Sequence, residues 1–246
     1  MNEAWTVRNQ ESRARSVGRL ATAVAALLGL GALGCANGAA DILADSRELS
    51  IEVCDPSGGP FSLDIDNPFL PYPEGARWVL ASEDERVQIT VLADTEVVAG
   101  VTTRVVEERE WEDGELIEIS RNFVVQAPDG TVCYFGEDVD DYADGKITSH
   151  GGAWRAGVGG AKAGILMAGR PEVGVSHKQE FLRGSAEDAS VVVGLGETVT
   201  VPAGTYTDTL SALDVNPLSN EVDEKKYARG VGLIADEDML LIEFSL

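Results

Sequence analysis

The chain has 246 residues, with 42 acidic and 19 basic side chains, and a formal net charge of −23 at pH 7. Such an acidic surface repels phosphate backbones and anionic lipid headgroups, which argues against nucleic acid as a partner. Solubility is the simplest role for the charge, and cations or basic partners remain compatible with it.

The amino terminus has the pattern of an export signal. A leader with four arginines precedes an uncharged apolar run from Leu20 to Gly34, which is too short for a comfortable membrane span. Residues 32–34, just before Cys35, resemble a bacterial lipoprotein cleavage box with two positions exchanged. We therefore predict a signal peptide over residues 1–34 and a lipid on Cys35. The alternative is an ordinary secretory signal cleaved near Ala36–Ala40, which would leave the protein periplasmic or extracellular.

The three cysteines fit an oxidising compartment. If Cys35 is lipidated, Cys54 and Cys133 remain as an even pair, which predicts a disulfide; two separate buried thiols are the alternative. Closing a loop of that size would stabilise the fold by about 4 kcal/mol according to chain entropy. Without residues 1–34, the chain keeps 15 basic and 40 acidic side chains, which is a net charge of −25.

The next segment predicts a tether followed by one domain. Residues 35–60 begin rich in Gly, Ala and Asn and end in a run of helix- and strand-breaking residues, 55–60. Residues 61–246 are long enough for a single β-rich domain with a sizeable core. Three prolines within Asp66–Gly75 forbid regular structure and predict an extended strap that leads into a turn.

Alternating apolar and polar residues then predict antiparallel strands. Glu112-Asp113-Gly114 and Ala127-Pro128-Asp129-Gly130 predict hairpin turns between them. Turn signals about every ten residues favour an all-β, mainly antiparallel fold, such as a curved sheet, a half-barrel or a barrel. The predicted strands are 77–81, 86–93, 101–111, 116–126, 131–135, 191–193, 197–201, 205–215, 224–228 and 239–244.

The central stretch from Cys133 to Phe181 departs from this pattern because it holds both histidines, a dense acidic cluster and a run of small residues. Its one helix candidate, Gly160–Ala168, is weakened by glycines. We expect a short helix or flap that plugs the open end of the curved sheet. The alternative is a lid over an apolar pocket, with Trp154, Tyr134 and Met167 as ligand-binding residues.

The acidic cluster allows two interpretations. Oxygen ligands suit calcium, which makes Asp138, Asp140 and Asp144 candidate metal ligands, but their spacing does not match a helix-loop-helix calcium loop. A solvated hairpin that turns at Asp144-Gly145 explains the same residues, and we favour it. The favoured interpretation has no cofactor, and calcium is the alternative.

Catalytic patterns are sparse. His150 precedes two glycines, as in a loop, and His177 lies in an alternating, strand-like segment. Two histidines without a cysteine pair at ligand spacing argue against zinc. No Gly-x-Ser-x-Gly elbow, phosphate-cradling loop or dinucleotide fingerprint occurs. An enzyme working in this stretch would have to use Glu137, Asp138, His150 and His177 as its titratable groups.

Three motifs stand out from the strand pattern. They are Asn67-Pro68-Phe69-Leu70-Pro71 with Gly75 and Trp78, Val201-Pro202-Ala203-Gly204-Thr205-Tyr206, and Lys226-Tyr227-Ala228-Arg229-Gly230-Val231-Gly232-Leu233-Ile234. Together they resemble an uncharacterised group of exported bacterial β-rich, lipoprotein-like proteins. The resemblance implies a curved antiparallel sheet wrapped on a short helix in the cell envelope, and it carries no activity. In physical terms, Pro-Ala-Gly turns the chain and Gly-Val-Gly lets a strand bend.

We therefore expect an exported, lipid-anchored, non-enzymatic envelope protein whose sheet binds or presents an apolar small molecule or an envelope component. Its contact with the membrane would be the lipid on Cys35. One alternative is a hydrolase-like enzyme with a site in residues 133–181, which requires its four titratable candidates to converge in one cleft. A calcium-stabilised structural protein is the second alternative.

Overall fold

The computed structural model of the protein describes residues 38–246, so the predicted signal peptide and Cys35 lie outside the described residues. The described region is all-β and mainly antiparallel, as predicted. Its helical elements are α1 (Ala39–Ala44) and two 3₁₀ turns, Ile51–Cys54 and Pro56–Gly58. Its strands are β1 (Arg47–Glu48), β2 (Arg77–Ala81), β3 (Glu85–Val98), β4 (Val101–Glu112), β5 (Glu115–Gln126), β6 (Val132–Ala143), β7 (Lys146–Ser149), β8 (Trp154–Arg155), β9 (Gly164–Met167), β10 (Val175–Lys178), β11 (Ala189–Val201), β12 (Gly204–Asn216), β13 (Glu221–Ala228), β14 (Gly232–Asp236) and β15 (Met239–Ser245).

These strands form one curved sheet that does not close into a barrel. The strand order is β1-β10-β11-β12-β13-β14-β15-β2-β3-β4-β5-β6-β7, and β8 and β9 also pair with β6. The pairing of β15 with β2 joins the two halves of the domain. Opposite that seam the sheet folds back towards itself. The contact there is a hydrogen bond from the Lys162 amide to the Phe181 carbonyl, at 2.9 Å. The sheet therefore has a concave face.

Local turn chemistry explains the hairpins. Asp113 and Gly114 both have positive φ, 51° and 80°, which matches the twist that a two-residue turn needs between β4 and β5. Pro202-Ala203 turns the chain between β11 and β12, and Asp144-Gly145 turns it between β6 and β7, both as predicted. By contrast, Gly232–Asp236 is strand β14, which is not among the predicted strands.

The strap at residues 66–75 is held on the concave side by the first motif. The Asn67 side chain donates to the carbonyls of Gly130 (2.8 Å) and Ala168 (3.1 Å), and its oxygen accepts from the Phe69 and Leu70 amides. The strap thereby packs the side chains of Leu70 and Tyr72 into the main core.

Segment 35–60, predicted as a tether, is folded onto the domain from Gly38 onward. Helix α1 packs Ile42 and Leu43 against Val191 and Val215 on the outer face of the sheet. Further along, Cys54 and Cys133 form a disulfide, with their Cα atoms 5.5 Å apart. Between residues 38 and 246, no helix has the length and apolarity needed to cross a membrane.

The short helix of the fold is thus α1 rather than an element of the central stretch. Gly164–Met167, inside the expected helix or flap, is instead strand β9, paired with β6. A glycine is required at 164, since a Cβ there would lie 2.1 Å from the Gln179 carbonyl oxygen. The central stretch therefore completes the sheet next to β6 and closes the concave face on that side.

Candidate functional site

The concave face forms a partly open cavity of about 200 Å³. Strands β2–β6 line it on one side, β12–β15 on the other, and the strap and central stretch cover its ends. The side chains of the lining are Leu70, Tyr72, Leu80, Val87, Ile89, Val106, Glu108, Glu110, Asn122, Val124, Tyr134, Leu166, Gln179, Asp214, Lys225, Tyr227, Leu233, Asp236 and Met239. The wall is thus aliphatic and aromatic, with a minority of charged groups.

Strand alternation places two carboxylates in this cavity. Val106, Glu108 and Glu110 lie two residues apart on β4 and share its concave face, whereas Glu107 and Arg109 point outward and pair at 2.7 Å. Across the ladder, Glu108 is opposite Ile89, which also lines the cavity. The two acids therefore face inward among apolar side chains.

Lys225 is the one amine among the lining residues, and it is already paired. It stands directly opposite Asp236 on the neighbouring strand, with Nζ 3.2 Å from the Asp236 carboxylate. The same Nζ lies 3.5 Å from the carboxylate of Asp214 on β12. The attraction of Asp236, followed by that of Asp214, raises the pKa of Lys225 well above its usual value despite burial. Lys225 therefore stays charged and neutralised within the wall.

Glu108 has no such partner. It forms no hydrogen bond or ion pair with any residue from 38 to 246. Burial raises its pKa to about 7, repulsion from Glu110 adds to the rise, and Lys225 opposes it. At neutral pH the Glu108 carboxyl is thus about half protonated. Negative charge in this cavity is not fully compensated by the protein.

A second polar group adjoins the cavity at Tyr134. Its hydroxyl donates to the Asn122 side chain at 2.6 Å, and its ring packs edge-on against Trp154 at 5.2 Å. Glu137 lies beside it, and burial together with repulsion from Glu180 raises the pKa of Glu137 to about 8. Trp154 in turn donates its indole N–H to Glu180 at 3.2 Å.

A backbone irregularity turns Glu137 towards this face. The register of β6 shifts between Tyr134 and Glu137, and the intervening Gly136 has φ 129°. A Cβ at Gly136 would lie 2.2 Å from the Trp154 carbonyl oxygen. Only glycine allows β8 to approach β6 this closely.

Two tyrosine hydroxyls in the cavity lack partners. Tyr72 and Tyr227 are only 7% and 8% exposed, and both line the cavity. Neither hydroxyl has a hydrogen-bond partner within the described part of the chain. Burial raises the pKa of both phenols, so they remain protonated at neutral pH. Buried hydroxyls normally have a partner, so these two are available to a ligand.

The other acidic candidates of the central stretch lie on the opposite, convex face. Asp138 accepts two hydrogen bonds from Arg155, at 2.9 and 2.7 Å. Asp140 pairs with Arg121 at 3.2 Å and lies 2.9 Å from Nδ1 of His150. Asp144 is exposed in the hairpin turn. Within residues 38–246, no group of three or more His, Cys, Asp or Glu side chains could hold a metal ion.

His177 is sealed in the sheet and does not line the cavity. It is 2% exposed, and neither ring nitrogen has a partner that satisfies hydrogen-bond geometry among the described residues. Burial lowers its pKa, while the Asp214 carboxylate and the Leu166 backbone favour the charged ring. Met167 is likewise buried in the core away from the cavity. The structure therefore does not bring the four titratable candidates, Glu137, Asp138, His150 and His177, together.

Sequence reasoning missed most residues of the cavity, since Glu108, Lys225, Tyr72 and Tyr227 lie outside the central stretch. One signal was present: Glu108 has the same strand parity as Val106, so an acid shares a face with an apolar residue. That signal is weak, because parity does not tell which face of a sheet becomes concave.

Comparison of the chain with family models, curated proteins and solved structures finds no match. The resemblance to exported lipoprotein-like proteins therefore stays a prediction. The function of the cavity has to be argued from its own chemistry.

Proposed function

We propose that the protein is a non-enzymatic, exported binding protein of the bacterial cell envelope, and that the concave face of its sheet holds a small molecule. The observation that carries this proposal is the partly open cavity on the concave face with two unpartnered tyrosine hydroxyls. Small-molecule sites typically combine apolar wall residues with polar groups that orient the ligand. The cavity has both, with polar and apolar surface in nearly equal measure.

The size of the cavity limits the ligand. At about 200 Å³, the cavity lies below the range of about 300–1,000 Å³ that is typical of sites for drug-sized ligands. Aliphatic walls such as Leu80, Ile89 and Leu233 would take apolar ligand surface out of water, at about 25 cal/mol per Å². A compact molecule with an apolar body fits these limits better than a lipid chain.

The binding proposal is better supported than the enzyme alternative. A hydrolase-like site in residues 133–181 needs its titratable groups in one cleft. Asp138 is paired with Arg155 and His150 lies beside Asp140 on the convex face, whereas His177 lies inside the sheet. The calcium alternative has as little support, because Arg155 and Arg121 already neutralise Asp138 and Asp140.

Export and the lipid anchor belong to the same proposal. They are supported by the signal-like pattern of residues 1–34 and by the disulfide between Cys54 and Cys133, which suits an oxidising compartment. A lipid on Cys35 would hold the domain at the membrane surface.

The test is the mass of the full-length protein purified gently from a bacterial envelope. We expect extra mass in native spray that disappears on denaturation, which reports a bound small molecule. A lipid on Cys35 would instead persist after denaturation and vanish in Cys35→Ser. Leu233→Trp should reduce the native extra mass by filling the cavity, whereas Val193→Trp on the exposed surface should not. Bare polypeptide in every native spectrum would refute the binding proposal.

A further inference from the structure

We propose that the ligand of this cavity is a small organic cation, a protonated amine, bound by the carboxylate of Glu108 and by the hydroxyls of Tyr72 and Tyr227. This inference rests on the proposed function, because it names the ligand class for the same cavity.

The side chains that line the cavity include more acidic than basic groups. Apart from Glu110, three carboxylates line the cavity, those of Glu108, Asp214 and Asp236, against the single ammonium of Lys225. That ammonium already lies between Asp236 and Asp214, at 3.2 and 3.5 Å. The cavity therefore carries excess negative charge, and low-dielectric walls strengthen the field that this charge produces.

Glu108 lies in the cavity without a hydrogen-bond or ion-pair partner among the described residues. It is half-buried in the cavity beside Ile89 and Val106, and no described residue donates to its carboxylate. A carboxylate in apolar surroundings is destabilising unless a cation or hydrogen-bond donors compensate it. An anionic ligand would be repelled, and a neutral ligand without donors would leave the charge uncompensated. A protonated amine supplies both the charge and the donors.

Tyr72 and Tyr227 contribute two phenol hydroxyls to the cavity. Both residues are more than nine-tenths buried and line the cavity, and their hydroxyls have no partner in residues 38–246. Phenolic oxygens accept hydrogen bonds from an ammonium group, and tyrosine rings attract cations through their faces. Tyr72 lies near Glu108, and Tyr227 lies near Lys225. The two hydroxyls thus add acceptors beside the carboxylates.

The titration of the acids supports the same conclusion. Burial, followed by repulsion from Glu110, raises the pKa of Glu108 to about 7, so its carboxyl retains a proton up to that pH. A proton relieves the cost of the buried charge. A protonated amine beside Glu108 would relieve it as well and would displace that proton.

The experiment compares three probes that share one ring and differ in charge. They are benzylamine, benzyl alcohol and benzoate, titrated calorimetrically into the full-length protein at low ionic strength and about pH 8. We expect benzylamine to bind at least about tenfold more tightly than benzyl alcohol, and benzoate to bind most weakly. Glu108→Gln should remove most of that preference. Glu48→Gln, on the exposed edge strand β1, should keep it.

A second measurement is independent of the variant. Carbon-detected NMR follows the titration of the Glu108 carboxyl, and we expect benzylamine, but not benzyl alcohol, to lower its pKa. Equal affinity for benzylamine and benzyl alcohol, with no change in this titration, would overturn the cationic ligand while leaving the binding cavity in place. Binding of none of the three probes would also overturn it. The native mass of envelope-purified protein then decides separately on the proposed function.

Discussion

Replacing Glu108 by Gln is expected to make the folded protein more stable at alkaline pH. The folded-state pKa of Glu108 is about 7, above the usual value of 4.5, because of burial and the nearby Glu110. Between these two pKa values the folded state binds more protons than the unfolded state, so the free energy of unfolding falls as pH rises. Once Glu108 is fully ionised, the free energy of unfolding has fallen by at most about 3 kcal/mol. Because solvent in the cavity screens the charge, we expect a fall of about 1–3 kcal/mol.

The assay is urea denaturation of the wild-type protein and of Glu108→Gln at about pH 4, 6 and 8. The variant should match the wild type near pH 4, where the carboxyl is protonated in both states, and exceed it by about 1–3 kcal/mol near pH 8. Glu48→Gln, exposed on β1, controls for the loss of one surface charge and should follow the wild type. If Glu108→Gln shows no gain between pH 4 and pH 8, the reasoning about an uncompensated acid in the cavity is wrong.

Three further predictions concern binding and packing. Benzylamine should bind more tightly at about pH 8 than at about pH 6, because Glu108 ionises in that interval; calorimetry that finds pH-independent affinity would contradict this. Gly164→Ala should lose about 2–3 kcal/mol in urea denaturation, since its Cβ would meet a backbone carbonyl oxygen at 2.1 Å, whereas Gly58→Ala, with nothing closer than 3.9 Å, should change little. The double variant Cys54→Ala/Cys133→Ala should lose about 4 kcal/mol, since the disulfide spans 79 residues, and equal melting temperatures would argue against this contribution.

The strands and hairpins were predictable because their signals are local. Side chains alternate with a period of two, and Asp113-Gly114 adopts the positive φ angles that a tight turn requires. The errors arose where tertiary contacts overrode local preference. Strand β14, which begins at the last glycine of the Gly-Val-Gly motif, was not predicted. The glycine-rich segment near Gly164 pairs with β6 because glycine lets it approach another backbone closely.

The candidate site was less accessible to sequence reasoning. Histidines and clustered acids drew attention to the central stretch, yet Asp138 and His150 are on the convex face. The charged residues of the cavity come from distant strands, with Glu108 on β4 and Lys225 on β13. No spacing along the chain relates these residues.

The sequence by itself determined the all-β class, the main turns and the even pair of cysteines, because alternation, turn residues and cysteine count act over short distances or by composition. It also determined that Glu108 shares a face with Val106. Only the tertiary structure decided that this face is concave, because strand order joins β15 to β2 and folds β12–β14 towards β4. Sheet curvature results from long-range pairing, and it places an acid of ordinary strand parity in a cavity, where its charge is uncompensated.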